Sequence, residues 1–349
     1  MCRYAPEWLH GESETETVIS NRIRLARNLK SHFFVHRNSR EGHIKVLEKI
    51  KEAVKENKYF KNGLFLDMAK VKDLDKKFLM ERHLISPNFA EAGIRRGLFI
   101  SDKEMLSLMI NEEDHIRLQA LEPGFDLLNT WRVISRVDDE LNNNLDYAVS
   151  KRFGYLTACP TNTGTGLRAS ILIHLPALVL TREIDKVIRG ITQVGLTVRG
   201  LYGEGTDVSG NLFQISNQTT LGQSEEEIIE SIEKIVRQII EYEKEARETL
   251  LKDARIQIED KIWRAYGLLK NARLLSSHEF MNLSSAVRLG IDLGLIKDVT
   301  SRLLNELLIL TRPAHIQKQE KRDMDTSERD MIRANFVRKK LNSFLNNKE

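Results

Sequence analysis

Residues 18–25, VISNRIRL, alternate: Ile19, Ile23 and Leu25 fall on one side with Asn21, and Arg22 and Arg24 fall on the other. A period of two predicts a half-buried strand with a polar face. EGHIKVLEKIKEAVKENK, 41–58, instead places apolar residues at 44, 46, 47, 50, 53 and 54, the spacing of an amphipathic helix. Short apolar runs follow at 63–68, 97–101 and 105–110. HIRLQAL, 115–121, alternates again, with Ile116 and Leu118 opposed to Arg117 and Gln119. FDLLNTWRVISRVDDEL, 125–141, predicts a helix. YLTAC and LRASILIHL predict strands on either side of the turn-rich PTNTGTG; 181–193 predicts a helix, LTVRGL a strand, and NLFQIS a strand after the glycine-rich loop YGEGTDVSGN.

From about residue 224 the pattern becomes helical without interruption by proline as far as residue 270, and further helical segments are predicted at 278–294, 298–311 and 325–345. No period of about 20 to 50 residues signals a solenoid. The expectation is two domains: 1–240, rich in sheet, and 241–349, all helical. Strands joined by loops and scattered helices, without regular βαβ alternation, place the first in the α+β class with a largely antiparallel sheet flanked by helices.

Hydrophobic residues make up 41% and charged residues 30% of the 349, which supports a packed core and argues against disorder. No apolar run approaches the roughly 20 residues that span a bilayer. The opening MCRYAPEWLHGESETET reads as neither a secretion signal nor a transit peptide. Two cysteines, Cys2 and Cys159, cannot build a disulfide framework, so a reducing cytoplasm is the expected compartment. The net charge of +4 is mild, and its bases are spread among acids; neither a basic stripe nor a recognition-helix signature points to nucleic acid.

No G-x-x-x-x-G-K-[ST] loop and no H-R-D or D-F-G pair is present, which excludes a P-loop nucleotide site and the usual protein-kinase machinery. Arg22 and Arg24 offer a different cradle. On a strand, i and i+2 point the same way roughly 7 Å apart, and two guanidinium forks at that spacing suit phosphate oxygens. A solvated sheet face has the same pattern. Arg117, on a second alternating segment, and Arg168, directly after the glycine-rich turn, repeat it. INEEDHIR, 110–117, sets Glu112, Glu113 and Asp114 between two strands. Such carboxylates hold a guanidinium, approach magnesium through water, or form a plain acidic turn. His115 has no second histidine at ligand spacing, so no metal site is assigned. Cys159 precedes a loop dense in backbone donors; it is either a small buried hydrophobe or a thiolate near a cationic substrate.

SNRIR, NEEDHIR, CPTNTGTGLRAS and VRGLYGEGTD…QISN, in this order over residues 18–217, resemble the catalytic core of the phosphagen (guanidino) kinase family. The resemblance implies an eight-stranded antiparallel sheet with surrounding helices. It implies Arg22, Arg24, Arg117 and Arg168 on the phosphates of ATP, Glu113 as the carboxylate that binds and deprotonates the guanidinium, and Glu112 near hydrated Mg²⁺. It implies Cys159 beside the guanidinium and Asp207 as the second carboxylate, an aspartate where the family more often has glutamate. Tyr202 stands where metabolite kinases have a further phosphate arginine; Arg199, three residues earlier, is the candidate replacement. Metabolite kinases also carry a helical domain ahead of the first arginine motif, which here begins at residue 18, so a shallower cleft is expected.

The helical rear is similar to the protein-arginine kinase branch of that family. SERDMIRANF contains R-D-x-x-R at Arg329, Asp330 and Arg333, and on a helix i and i+4 share a face. An ordinary solvated helix face reads the same way; the resemblance makes it a phosphoarginine-binding pocket with the two arginines projecting together. The branch further implies protein substrates entered through arginine side chains, control of the CtsR heat-shock repressor in a stress response, and delivery of marked proteins to a ClpC-type protease. It also implies a zinc-bearing activator, McsA, and a homodimer formed by the helical domain. The alternatives are a phosphoarginine-binding adaptor whose kinase site has decayed and a kinase of free arginine.

Overall fold

A computed structural model describes residues 4–10, 15–91, 93–200 and 209–346. Its strands are β1 (Val18–Arg27), β2 (Leu64–Asp67), β3 (Gly97–Ile100), β4 (Leu106–Ile110), β5 (Ile116–Pro123), β6 (Val149–Ser150), β7 (Gly154–Tyr155), β8 (Leu167–His174), β9 (Leu196–Arg199) and β10 (Leu212–Asn217). Its helices are α1 (Arg40–Glu56), α2 (Asp73–Glu81), α3 (Pro87–Ala90), α4 (Leu127–Asn142), α5 (Pro176–Leu180) and α6 (Ile184–Gln193), then α7 (Glu225–Asp253), α8 (Arg255–Asn271), α9 (Ser277–Asp292), α10 (Ser301–Leu310), α11 (Pro313–Glu320) and α12 (Thr326–Asn346).

Eight strands form one sheet in the order β2-β3-β4-β5-β1-β8-β10-β9, antiparallel at every junction, while β6 and β7 pair separately. The α+β expectation and the eight-stranded sheet are both met. The period-two pattern sorts this sheet into two faces. Ile23, Leu25, Ile116, Leu118, Leu167, Ala169, Ile171 and Ile215 are fully buried or nearly so, and α4 and α7 pack over the strands that carry them. The opposite face divides along its width. Over β3 and β4 it is apolar: Leu98, Ile100 and Met109 pack with Leu79 of α2 and Phe89 of α3 in a second, smaller core. Over β5, β1, β8, β10 and β9 it is mostly polar and lines a cleft, with Leu121 and Leu172 beside Trp8 at one end.

The structure departs from expectation at several places. YLTAC is not a strand: only Tyr155 pairs in β7, and Pro160 starts a short 3₁₀ turn with Cys159 at its N-cap. A backbone committed to that turn cannot continue a ladder. The long helical stretch breaks once, at Ala254 (φ −140°, ψ 33°), between α7 and α8. Helices α2, α3, α5 and α11 were not anticipated; the last three begin at a proline, which has the right φ for a first helical turn and no N–H to leave unsatisfied.

One buried ion pair pins the end of β1. Arg27 donates from Nε to Asp138 Oδ2 of α4 (2.9 Å) and from Nη1 to the carbonyls of Ala26 and Thr165 (2.9 Å each), with its guanidinium 3.5 Å from the Tyr155 ring centroid. Gly166, at φ +63°, makes room for it: a Cβ there would lie 2.6 Å from Ala26 O and 2.7 Å from Arg27 Nη1. Replacing Arg27 with alanine strands the Asp138 carboxylate and is expected to cost about 3–5 kcal/mol in urea denaturation. A loss under about 1 kcal/mol would show that the pair is not what fixes this corner.

Candidate active site

The register brings the sequence's arginines together. Arg24 lies opposite Arg168 on β8 and opposite Gln119 on β5; Arg22 lies opposite Ser170; and Arg117 lies opposite Ala26, one step further along the same face. Arg199 of β9 lies opposite Gln214 of β10. Directly paired residues of an antiparallel sheet share a face. All five arginines therefore line one cleft of about 970 Å³, and Glu112, Glu113 and Cys159 line it with them.

Crowding of like charge marks this cluster. Burial, then Arg117 and Arg168, bring the Arg22 guanidinium down to about 10. Burial, then Arg22, Arg117 and Arg168, push Arg24 well below its usual value, opposed only by Glu112. Both stay protonated at neutral pH. Arg24 Nε is buried and has no hydrogen-bond partner among the described residues. Arg168 donates from Nη2 to Ser216 Oγ (3.1 Å).

The three consecutive acids separate into three environments. Burial would raise the Glu112 carboxyl, but Arg117 Nη1 (2.6 Å), Ser86 Oγ (2.5 Å) and the Glu113 amide (3.1 Å) outweigh it and hold the group below the ordinary range. Glu113 is exposed to the cleft. Asp114 turns away: its Oδ1 accepts from Asn28 Nδ2 and from the Ala158 amide (2.6 Å each). His115 is structural. Its Nδ1 accepts from the Leu29 amide (3.0 Å), so the proton sits on Nε2, which donates to Phe33 O (2.9 Å). Burial brings its pKa down to about 4, consistent with a neutral ring.

The loop after Cys159 is not an anion cradle. The amides of Asn162, Thr163, Gly164 and Thr165 are spent on Cys159 O, Pro160 O, Tyr155 O and Thr220 O. Cys159 Sγ sits 3.0 Å from Thr161 Oγ1. Asp207 and Tyr202 lie outside the described residues. Arg329 reaches the same cleft from α12, donating to Met324 O (2.6 Å) and Thr326 Oγ1 (3.0 Å). Arg333 does not project beside it. Its guanidinium is buried on Thr311 O (2.8 Å), Leu275 O (2.7 Å) and Asp330 Oδ1 (2.5 Å), because α12 turns that side toward the other helices.

Residues 45–246 match the ATP:guanido phosphotransferase C-terminal catalytic domain, and residues 255–349 match the protein-arginine kinase McsB C-terminal domain. The protein-arginine kinase of Desulforamulus reducens is 46% identical over 97% of this chain and 96% of its own length. That of Bacillus subtilis is 46% identical over 96% of this chain and 93% of its own length. The chain belongs to the protein-arginine kinase family. Among solved structures, lombricine kinase is similar at 25% identity and TM-score 0.59, covering 69% of this chain and 71% of that one. The duplicated taurocyamine kinase of Schistosoma mansoni is similar at 26% identity and TM-score 0.61 over 70% of this chain, which spans 35% of that protein.

Several cleft residues of this kinase carried no individual signal in the sequence. Gln119, Gln214 and Ser216 follow from strand parity, as polar positions in phase with the arginines. His83 follows α2, Ser86 caps α3 and Arg312 precedes α11, where no pattern singles them out. His83 takes φ +58°, and burial, then Arg22 and Arg312, bring its pKa down to about 3, so its ring is neutral.

Asp114 gives a pH test. Burial raises its pKa from 3.8 to about 6. The stability this group contributes is therefore full below about pH 4 and lost as pH rises through about 6. Asp114→Asn keeps an acceptor oxygen without the charge. Its stability relative to wild type is expected to grow by on the order of 3 kcal/mol from about pH 4 to about pH 7, measured by urea denaturation across that range. A difference independent of pH would show that Asp114 titrates normally.

Proposed function

We propose that this enzyme transfers the γ-phosphoryl group of ATP to the guanidinium of arginine side chains in proteins. The observation that carries the proposal is the arginine cluster of β1, β5 and β8, which shares one cleft with the exposed Glu113 and in which burial, then neighbouring arginines, depress Arg22 and Arg24. A triphosphate fits what the cluster lacks: an acceptor for the buried Arg24 Nε. In this reading Arg22, Arg24, Arg117 and Arg168 hold the phosphates, and Arg199 takes the role of the arginine that position 202 lacks.

Mg²⁺ enters with the nucleotide. Both oxygens of Glu112 already accept hydrogen bonds, and no group of three or more metal-ligating side chains occurs among the described residues. Glu112 would hold the ion through water, as suits an ion that keeps much of its hydration. The free guanidinium has a pKa above about 12 and is no nucleophile while protonated. Glu113 and Asp207 hold it, aim one nitrogen at the γ-phosphorus, and accept the proton as the N–P bond forms. Cys159 sits beside it. The arginines neutralise charge on the transferring group, so positioning and electrostatics supply most of the rate.

The reading extends to residues 1–240 as the catalytic unit and 241–349 as a unit for dimerisation and phosphoarginine binding, in which Arg329 faces the cleft while Arg333 and Asp330, paired with each other, hold the helix that carries it. The match of 255–349 to the protein-arginine kinase C-terminal domain supports it. Exposed Ile256 and Trp263 on α8 offer an apolar face for a second copy. A cytoplasmic setting with McsA as activator and CtsR and a ClpC-type protease downstream belongs to the same proposal. No helix among the described residues is long and apolar enough to cross a membrane.

The test is ³¹P NMR of an arginine-rich protein incubated with the enzyme, ATP and Mg²⁺. An acid-labile phosphoramidate signal is expected. It should vanish in Glu113→Ala while nucleotide binding persists, whereas Arg168→Ala should weaken nucleotide binding itself by roughly tenfold or more. Loss of nucleotide binding in Glu113→Ala as severe as in Arg168→Ala would remove Glu113 from its assigned role.

A further inference from the structure

Glu112 has little accepting capacity to spare. An ionised carboxylate accepts through two oxygens with about four lone-pair sites and donates nothing. Oε2 accepts from Arg117 Nη1 (2.6 Å) and from the Glu113 amide (3.1 Å), which fills it. Oε1 accepts from Ser86 Oγ (2.5 Å), which leaves a single site among the described residues. We propose that Ser86 is a positioning residue: its hydroxyl aims that last site of Glu112 into the cleft, where Mg²⁺ arrives with ATP. The proposal rests on the protein-arginine kinase reading above and adds what orients Glu112 within it.

The sense of the bond follows from the groups. Glu112 is held ionised and can only accept, so Ser86 donates. The same Oγ accepts from the Phe89 amide (3.1 Å) as the N-cap of α3. The hydroxyl is thus engaged both as donor and as acceptor, and turning it toward another partner would break the bond to Glu112.

Ser86 is itself held in place. Pro87 confines the residue before it to extended backbone, and Ser86 takes φ −84°, ψ 159°. Ile85 on one side and Phe89 on the other are buried in the smaller core over β3 and β4. The far end of α3 is tied down by Arg96. Its Nη1 donates to the carbonyls of Asn88 (2.8 Å), Phe89 (3.2 Å) and Glu91 (2.6 Å), and its Nε donates to Asn111 O (3.1 Å). Helix α3 is therefore a strut clamped at both ends to the turn between β4 and β5. Ser86 reaches the side chain of Glu112, and Arg96 reaches the backbone one residue before it.

The ion pair with Arg117 cannot do this alone. It falls on one oxygen of Glu112, as does the bond from the Glu113 amide. Contacts to a single oxygen fix its distance and leave the carboxylate free to turn about it, whereas a contact to each oxygen sets the plane. Without the Ser86 hydroxyl, Oε2 becomes a hinge and Oε1 swings.

The test measures nucleotide affinity of the full-length enzyme by isothermal titration calorimetry, with ATP and Mg²⁺ and with ATP in EDTA. The variants are Ser86→Ala, Ser86→Gly and Ser86→Thr. Glycine caps a helix almost as well as serine, so Ser86→Gly removes the hydroxyl and keeps α3. Ser86→Ala and Ser86→Gly should bind ATP with Mg²⁺ roughly tenfold more weakly, with affinity for metal-free ATP within about twofold of wild type. Ser86→Thr returns the hydroxyl and should recover the affinity with Mg²⁺ to within about threefold of wild type. A residue that only shaped the cleft wall would weaken both nucleotide forms together, and that result overturns the proposal. So does unchanged affinity with Mg²⁺ in Ser86→Gly, or a Ser86→Thr enzyme as weak as Ser86→Ala. If Ser86→Ala does not fold, Ser86→Gly and Ser86→Thr carry the same comparison. Wild-type enzyme that binds neither form overturns the kinase reading and this proposal with it. Normal binding by wild type without the selective loss overturns the role of Ser86 alone.

Discussion

Arg24 and Arg168 face one another across adjacent strands, Arg22 lies two residues along, and Arg117 comes from the strand on the other side. Four cations on one patch of sheet repel, and in a partly dehydrated cleft they repel far more than in water. The remaining structure is what prevents their escape. All three strands lie inside the sheet with neighbours on both sides, so their backbones cannot drift apart without breaking ladders. The reverse face of the same strands is buried core. Glu112 is paired with Arg117, and Arg24 Nε has no hydrogen-bond partner among the described residues. Repulsion that cannot relax is binding energy stored for a polyanion.

The hairpin from β4 to β5 shows how three neighbouring acids acquire different chemistry. Asn111 adopts φ +60° and donates from its side chain to His43 O and Arg95 O, which fixes where the turn points. Glu112 is then drawn to Arg117 and Ser86, and Asp114 to Asn28 and the Ala158 amide. Asp114 thereby ties the hairpin to the segment carrying Cys159. Of the three, only Glu113 is exposed. An acid destined for a guanidinium must be accessible and unspent, and its two neighbours are neither.

The period-two signal of β1 and β5 was legible from the sequence because one face is core and the other is ligand site, so polarity and direction coincide. The same parity carries Gln119, Gln214 and Ser216, which side-chain type alone does not advertise. What was not legible depended on partners distant in sequence. YLTAC has strand composition, but its backbone is taken by the turn at Pro160 and by pairing with the Ala148 segment. The shared helical face of Arg329 and Arg333 was read correctly as spacing; burial then separated them, since Thr311 and Leu275 claim Arg333. Helix α11 depends on Glu81, more than 200 residues earlier in the chain.

That last contact bears on how the cleft can move. The C-terminal helices are continuous with the sheet's own core, which runs from Trp8 to Leu341 as one cluster of packed side chains. Glu243 of α7 accepts from the amides of Ala177 and Leu178 at the start of α5, so the helix leading into the C-terminal region is itself anchored to the catalytic half. Helix α11 is bonded to α2 through Glu81 and His315, and the residues after α2 enter the cleft beside Arg22. A displacement of α11 therefore cannot be absorbed by a linker; it must be passed to α2 and to His83. Helix α11 and the residues after α2 that line the cleft thus belong to one hydrogen-bonded frame.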